Sequence, residues 1–172
     1  GKFMMIVYQV DNRASASDVT ISTAIEVKLG APADVSTELE MVFLGTTTIS
    51  IPGDGMLHNV SGLCAPREPQ TFVGGFELMG DTGVSQRLIH FPASGSQVTR
   101  LDAPFDPTNM QHLAFPRFTA TSGDFLRTTC NYVNATGSTR VLGDRLEQEL
   151  CYLLLYRTRL APSVGGLYAC VS

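Results

Sequence analysis

The chain has 172 residues, 44% of them hydrophobic and only 16% charged, with a formal net charge of -4. That is enough apolar material for one well-buried core, so a single domain over residues 1–172 is expected. Its 12 Lys and Arg residues are spread thinly and offer no basic footprint for nucleic acid, and no apolar run reaches the roughly 20 residues that span a bilayer, so neither a nucleic acid partner nor a membrane-spanning segment is expected.

In chain order the sequence reads as strands and loops. The opening GKFMMIVYQV lacks a cleavage-site pattern and is too short for a signal peptide. Phe3 to Val10 instead has the pattern of a strand covered on both faces, and so abrupt a start suggests a piece of a longer polypeptide. After a polar loop from Asp11 to Ser17, the stretch Val19 to Leu29 alternates as a half-buried strand does. Leu39 to Leu44 is an apolar strand, and Thr46 to Ile51 is a β-branched one ending at Pro52-Gly53. The next strand expected is Thr71 to Met79, where Gly74 and Gly75 mark a bulge or a close backbone approach. Gln86 to Phe91 alternates, and Val98 to Leu101 is short. Pro104, Pro107 and Pro116 keep the following region out of helix, leaving Gln111 to Phe115 and Phe118 to Thr121 as short strands. Gly166 to Val171 closes the series.

The stretch from Gly123 to Arg157 organises the rest. Phe125 to Tyr132 and Glu149 to Tyr156 each carry a cysteine, and Asn134, Gly137, Ser138 and Gly143 between them supply turn chemistry. Composition alone leaves a helix over Asp144 to Leu155 open; Tyr152, Tyr156 and the bracketing glycines favour strand. Many short strands with close turns and no amphipathic helix give an all-β fold, an antiparallel β-sandwich or jelly roll.

Cys64, Cys130, Cys151 and Cys170 do not form the C-x-x-C pairs of metal and redox motifs, and their wide spacing suits disulfides. Of the three possible connectivities we favour Cys130–Cys151, because pairing its two segments as neighbouring strands brings the thiols together. The remaining pair, Cys64–Cys170, ties the end of the chain to its middle. Closing the first loop is worth about 3 kcal/mol by the chain-entropy relation. Disulfides imply an oxidising setting, whether secreted, periplasmic or cell-surface. The alternative is four buried free thiols in a cytosolic domain.

The series ISIPGDG, Cys64, a strand ending in Gly80, PFDPTNMQHLAF, GDFLRTTCNY, GDRLEQELCYLLLY and Cys170 resembles the carboxy-terminal domain of the copper type II, ascorbate-dependent monooxygenases. That family includes peptidylglycine α-hydroxylating monooxygenase and dopamine β-monooxygenase. The resemblance runs from about Met4 to the end and is most specific over Gly123 to Tyr156. It implies an antiparallel jelly-roll sandwich with the two disulfides favoured above. It also implies where copper ligands would stand: two histidines at Gly75 and Glu77 when aligned on Gly80, a methionine at Leu150 when aligned on Cys151, and a histidine of the other copper site at Gln9. Gly75 and Leu150 have no donor atom, and Glu77 offers hard oxygen where imidazole and thioether suit copper. The resemblance thus implies a degenerate site, with no metal or cofactor expected.

Other chemistry is sparse. The histidines are His58 in a Gly-Asp-Gly loop, His90 in RLIHF and His112 beside Gln111; Glu77 and Met79 with His90 on an adjacent strand would make a makeshift metal site. Asp144, Glu147 and Glu149 form an acidic cluster open to calcium or carboxylate-pair chemistry, against a plainer reading as a solvated loop. Glu77, an isolated carboxylate on an alternating strand, is likewise expected to be solvated. No serine sits in a G-x-S-x-G elbow, and the Gly-rich segments lack the Lys-Ser/Thr of a phosphate cradle. Asn59-Val60-Ser61 and Asn134-Ala135-Thr136 match the N-glycosylation pattern, which arises often by chance.

The expected function is a non-catalytic module for binding or assembly, whose partner is a protein, a glycan or an adjacent domain of the same polypeptide. Two alternatives stand beside it: a copper-dependent monooxygenase using an unconventional site or a partner domain, and a glycan-binding jelly roll.

Overall fold

The computed structural model describes Thr20, Ser22, Ala24 and residues 36–108, 110, 112–145, 147–158 and 168–171. The chain divides into two compact units, residues 1–35 and residues 36–172, and every strand described belongs to the second. The segments Phe3 to Val10 and Val19 to Leu29, and with them Gln9, lie outside the described residues.

Residues 36–172 are all-β, with no helix among the described residues. The strands are β1 (Leu39–Gly45), β2 (Ser50–Ile51), β3 (Leu57–Cys64), β4 (Gln70–Met79), β5 (Gly83–Phe91), β6 (Val98–Pro104), β7 (His112–Ala120), β8 (Phe125–Val133), β9 (Arg140–Val141), β10 (Cys151–Thr158) and β11 (Tyr168–Val171). One sheet has the order β11-β1-β10-β4-β7 and the other β3-β8-β5-β6; β2 and β9 form a small ribbon. All pairings are antiparallel except β1 with β11. Inward side chains of both sheets meet in a sandwich core with two centres. One gathers Val42, Leu44, Phe72, Leu88, Leu126 and Leu153, the other Ile51, Met79, Phe105 and Tyr132.

Both expected disulfides are present, Cys64–Cys170 and Cys130–Cys151. The premise behind the second is corrected, because β8 and β10 are not neighbouring strands. They belong to opposite sheets, so the bond crosses the sandwich. Cys64 in β3 and Cys170 in β11 also sit in opposite sheets. Face-packed sheets ordinarily lie ~10 Å apart, yet the bonded Cα atoms are only 5.3 and 5.8 Å apart, so each staple marks a pinch. Glycine makes room at the first: a Cβ on Gly62, two residues before Cys64, would overlap the backbone of Gly45, whose neighbour Leu44 is in register with Cys170.

Other expectations shift for local reasons. Thr46 to Ile51 is not one strand; the Thr46 hydroxyl accepts the Thr48 N–H at 3.0 Å, and only Ser50–Ile51 is extended in a ladder. The two short strands around Pro116 are a single β7. It is an edge strand, where the missing proline N–H is tolerated, and its register against β4 shifts between Gly74 and Phe72. His58 lies in β3, not in a loop. There His58, Val60, Gly62 and Cys64 alternate inward, although too few of them are apolar to signal a strand. The strand favoured over Glu149 to Tyr156 is present as β10, and the helix left open over Asp144 to Leu155 does not form among the described residues.

The staples close loops of unequal length, with sequence separations of 106 and 21. Replacing the pair Cys64 and Cys170 by alanine is therefore expected to cost more stability, about 4–5 kcal/mol against about 3 kcal/mol for Cys130 and Cys151. Guanidinium unfolding of the two double variants checks the order.

Candidate functional site

The ligand positions implied by the resemblance are put together by β4 and the approach to β10. Gly75 is in register with Leu155 on one side and Leu113 on the other, and is buried. A Cβ built there would stand 2.8 Å from the Leu154 carbonyl oxygen, with the Leu155 and Phe115 side chains just beyond. This place is closed to a histidine by backbone as well as by sequence. Leu150 lies immediately before β10, and its carbonyl accepts the Tyr132 hydroxyl at 2.6 Å. Glu77 points into the sandwich, in register with Leu153. A glycine without a side chain, a carboxylate and a leucine do not make a copper site.

Glu77 is not solvated as expected. It is 7% exposed, and its Oε1 has no hydrogen-bond partner among the described residues. Burial raises its pKa to about 7. Met79 shares its strand face and packs in the second core centre. His90 does not join them, because β5 lies in the opposite sheet. The His90 ring packs 5.3 Å from that of Phe118, which is in register with Phe72. Phe72 is five residues from Glu77 along β4, or roughly 16 Å of extended strand.

Each histidine is already engaged. His90 is buried, accepts from Arg100 at Nδ1 over 3.1 Å, and so donates from Nε2 to Asp124 Oδ2 over 3.0 Å. Asp124 also accepts the Thr121 and Ala93 N–H groups at 2.8 Å, and these bonds, Thr121 foremost, hold its pKa down to about 2 against the cost of burial. The Arg100 guanidinium lies 4.5 Å from the centroid of Phe118. This constellation ties the β5–β6 and β7–β8 connections together, and its polar contacts serve that bracing. His58 bonds Asp54 at 2.8 Å near the surface. Among the described residues no group of three or more His, Cys, Asp or Glu side chains is placed to hold a metal ion.

The acidic cluster separates. Asp144 and Glu147 are exposed, whereas Glu149 is fully buried. Its Oε2 accepts Gly80 N–H at 2.8 Å, and its Oε1 accepts Thr82 N–H at 3.0 Å and the Thr82 hydroxyl at 2.6 Å. Burial raises its pKa, opposed by those bonds and reinforced by Asp81. A Cβ on Gly80 would overlap this carboxylate, which explains a glycine at the turn between β4 and β5. Tyr132 is held protonated by burial and by the charge of Glu149.

What the sequence reading misses is a surface. The outer face of the five-stranded sheet is apolar row by row: Phe43, Leu154 and Phe76 are in register across β1, β10 and β4, with Met41 and Tyr156 in the row beside them and Tyr152 and Leu78 on the other side. Met41 is 46% exposed and the others half-buried. Phe43 meets Tyr152 edge-on with ring centroids 6.2 Å apart. His112 stacks on Tyr156 at 5.3 Å, and its Nε2 lies 2.8 Å from where a Cβ of Gly74 would be, so the missing side chain lets the imidazole lean over the strand. The paired glycines thus serve close approaches on both faces of β4. The near-continuous apolar run of Cys151 to Tyr156 is the signal that both faces of β10 are apolar.

No protein-family model matches the chain, and no curated protein matches it.

Two outcomes are expected here. Gly75→Ala should destabilise by about 1–3 kcal/mol, since the strand must move off the Leu154 carbonyl; thermal and denaturant unfolding read this directly. Glu77 binds its proton more tightly folded than unfolded, with pKa about 7 against 4.5. The unfolded chain therefore carries fewer protons between these values, and stability falls as pH rises through that window, by up to about 3 kcal/mol. Unfolding free energies at pH 5 and pH 8 should show the fall, and Glu77→Gln should flatten it.

Proposed function

We propose that this chain is a non-catalytic binding or assembly module, similar to the carboxy-terminal domain of the copper type II monooxygenases and with a degenerate copper site. The jelly-roll topology belongs to the same reading. It is supported by two inter-sheet disulfides with the connectivity the resemblance implies, and by ligand positions occupied by a hemmed-in glycine, a buried carboxyl and a leucine. Two disulfides, and no described helix long and apolar enough to cross a membrane, are compatible with an extracellular protein. A secreted, periplasmic or surface location completes the proposal.

The observation that carries the binding role is the apolar outer face of the five-stranded sheet. A sheet with one face in a core normally presents polar side chains on the other, and a contiguous apolar second face marks an interaction surface. Met41, Phe43, Leu154, Phe76 and Leu78 make up most of this face, and a contiguous surface of aliphatic and aromatic side chains suits a protein surface or an adjacent domain.

Copper loading followed by exhaustive dialysis and metal analysis tests the degenerate site. Well under one equivalent of copper is expected, with no ascorbate-dependent oxygen uptake; one tightly held equivalent refutes the reading. The surface is tested with a naphthalene-sulfonate dye: folded protein should enhance its fluorescence, and Met41→Lys with Tyr156→Lys should remove most of that enhancement without lowering the unfolding midpoint by more than a few degrees.

A further inference from the structure

We propose that Asn59 is the attachment site of an N-linked glycan, and that Asn134, which carries the same three-residue pattern, is not. Asn59 and Ser61 are both exposed on the outer face of β3, the edge strand of the four-stranded sheet. On the same face Leu57 and Leu63 are 65% and 51% exposed, and Val133, opposite Leu57, is 39% exposed. Uncovered apolar side chains on a sheet face invite association with another chain. A hydrated glycan rooted between Leu57 and Leu63 covers that apolar surface, which gives the modification a physical purpose here.

Asn134 has the opposite environment. It is fully buried; its Nδ2 donates to the Ile51 carbonyl at 3.0 Å and the Ser138 carbonyl at 2.9 Å, while its Oδ1 accepts the Thr136 N–H at 3.1 Å and the Thr136 hydroxyl at 2.7 Å. In the transfer, the asparagine Nδ2 bonds to C1 of an oligosaccharide carried on a lipid diphosphate. The C1–O bond breaks, the diphosphate leaves with the bonding pair, and one Nδ2 proton is lost to a base. At Asn134 that proton belongs to one of two donated bonds, and the sugar would occupy space already filled by the turn from Asn134 to Ser138. A chain modified there cannot complete this turn. Asn59, whose amide projects from an exposed strand face, folds with its glycan in place.

The proposal rests on passage through the oxidising compartment in which the two disulfides form, and one experiment keeps the two apart. The full chain is directed into the secretory pathway of cultured animal cells, and the secreted protein is alkylated without reduction, then digested with peptide N-glycosidase, which converts a glycosylated asparagine to aspartate. Conversion is expected in most molecules at Asn59 and in none at Asn134, with the cysteines resistant to alkylation. Asn59→Gln and Ser61→Ala, both exposed, should each abolish the electrophoretic shift caused by deglycosylation. Alkylation-resistant protein with a bare Asn59, or with a glycan on Asn134, overturns the assignment while leaving the compartment intact; alkylated cysteines overturn both.

Discussion

The two bonds that cross from one sheet to the other set the terms for everything else in this fold. Each draws two backbones to about half the usual spacing of packed sheets. A pinch of that kind forbids ordinary side chains nearby, and the chain answers with Gly62 against Gly45 at the first staple. The second staple joins the two strands that contribute Tyr132 and Leu153, at the meeting of the two core centres. With the layers fixed at two points, the inner face tolerates polar groups that a smaller or looser core would not.

Those polar groups fall into two kinds. Glu149 and Asp124 are buried acceptors saturated by backbone N–H groups, and each fixes a connection: Glu149 the β4–β5 turn through Gly80 and Thr82, Asp124 the neighbouring loops through Thr121 and Ala93. A carboxylate in such a cradle is satisfied where it stands and braces loops that carry few apolar contacts of their own. Glu77 is different. Its Oε1 and that of the fully buried Gln86 are acceptors with no protein donor among the described residues. A carboxyl in that position is easier to bury neutral than charged, and its raised pKa follows from this.

The binding role we propose follows from the same economy of side chains. β10 is apolar on both faces, and its outward residues align with outward aromatic and aliphatic residues of β1 and β4. Nothing in the inner core requires Phe43, Leu154 or Phe76, which face away from it. The positions that the resemblance would give to metal ligands are instead packed against Leu155, Phe115 and Leu153 or, at Leu150, tied through a backbone carbonyl to the Tyr132 hydroxyl.

Much of the architecture was legible in the residues themselves. Alternation and β-branching mark β1, β4, β5 and β8, the prolines exclude helices, and four isolated cysteines announce two staples, because strand periodicity and cystine spacing are local properties of the chain. Sequence could not say that Cys130 and Cys151 belong to different sheets, since a strand has the same pattern whichever neighbour it pairs with. Nor could it separate Glu149, Glu147 and Asp144, three acids within six positions, of which only the first turns inward to meet the N–H groups of Gly80 and Thr82 almost seventy residues away. The two Asn-x-Ser/Thr patterns are equivalent as written; only the fold puts Asn59 in water and Asn134 among carbonyls. Local pattern chose the elements, and long-range packing, through which burial and hydrogen bonding act, decided what each polar side chain does.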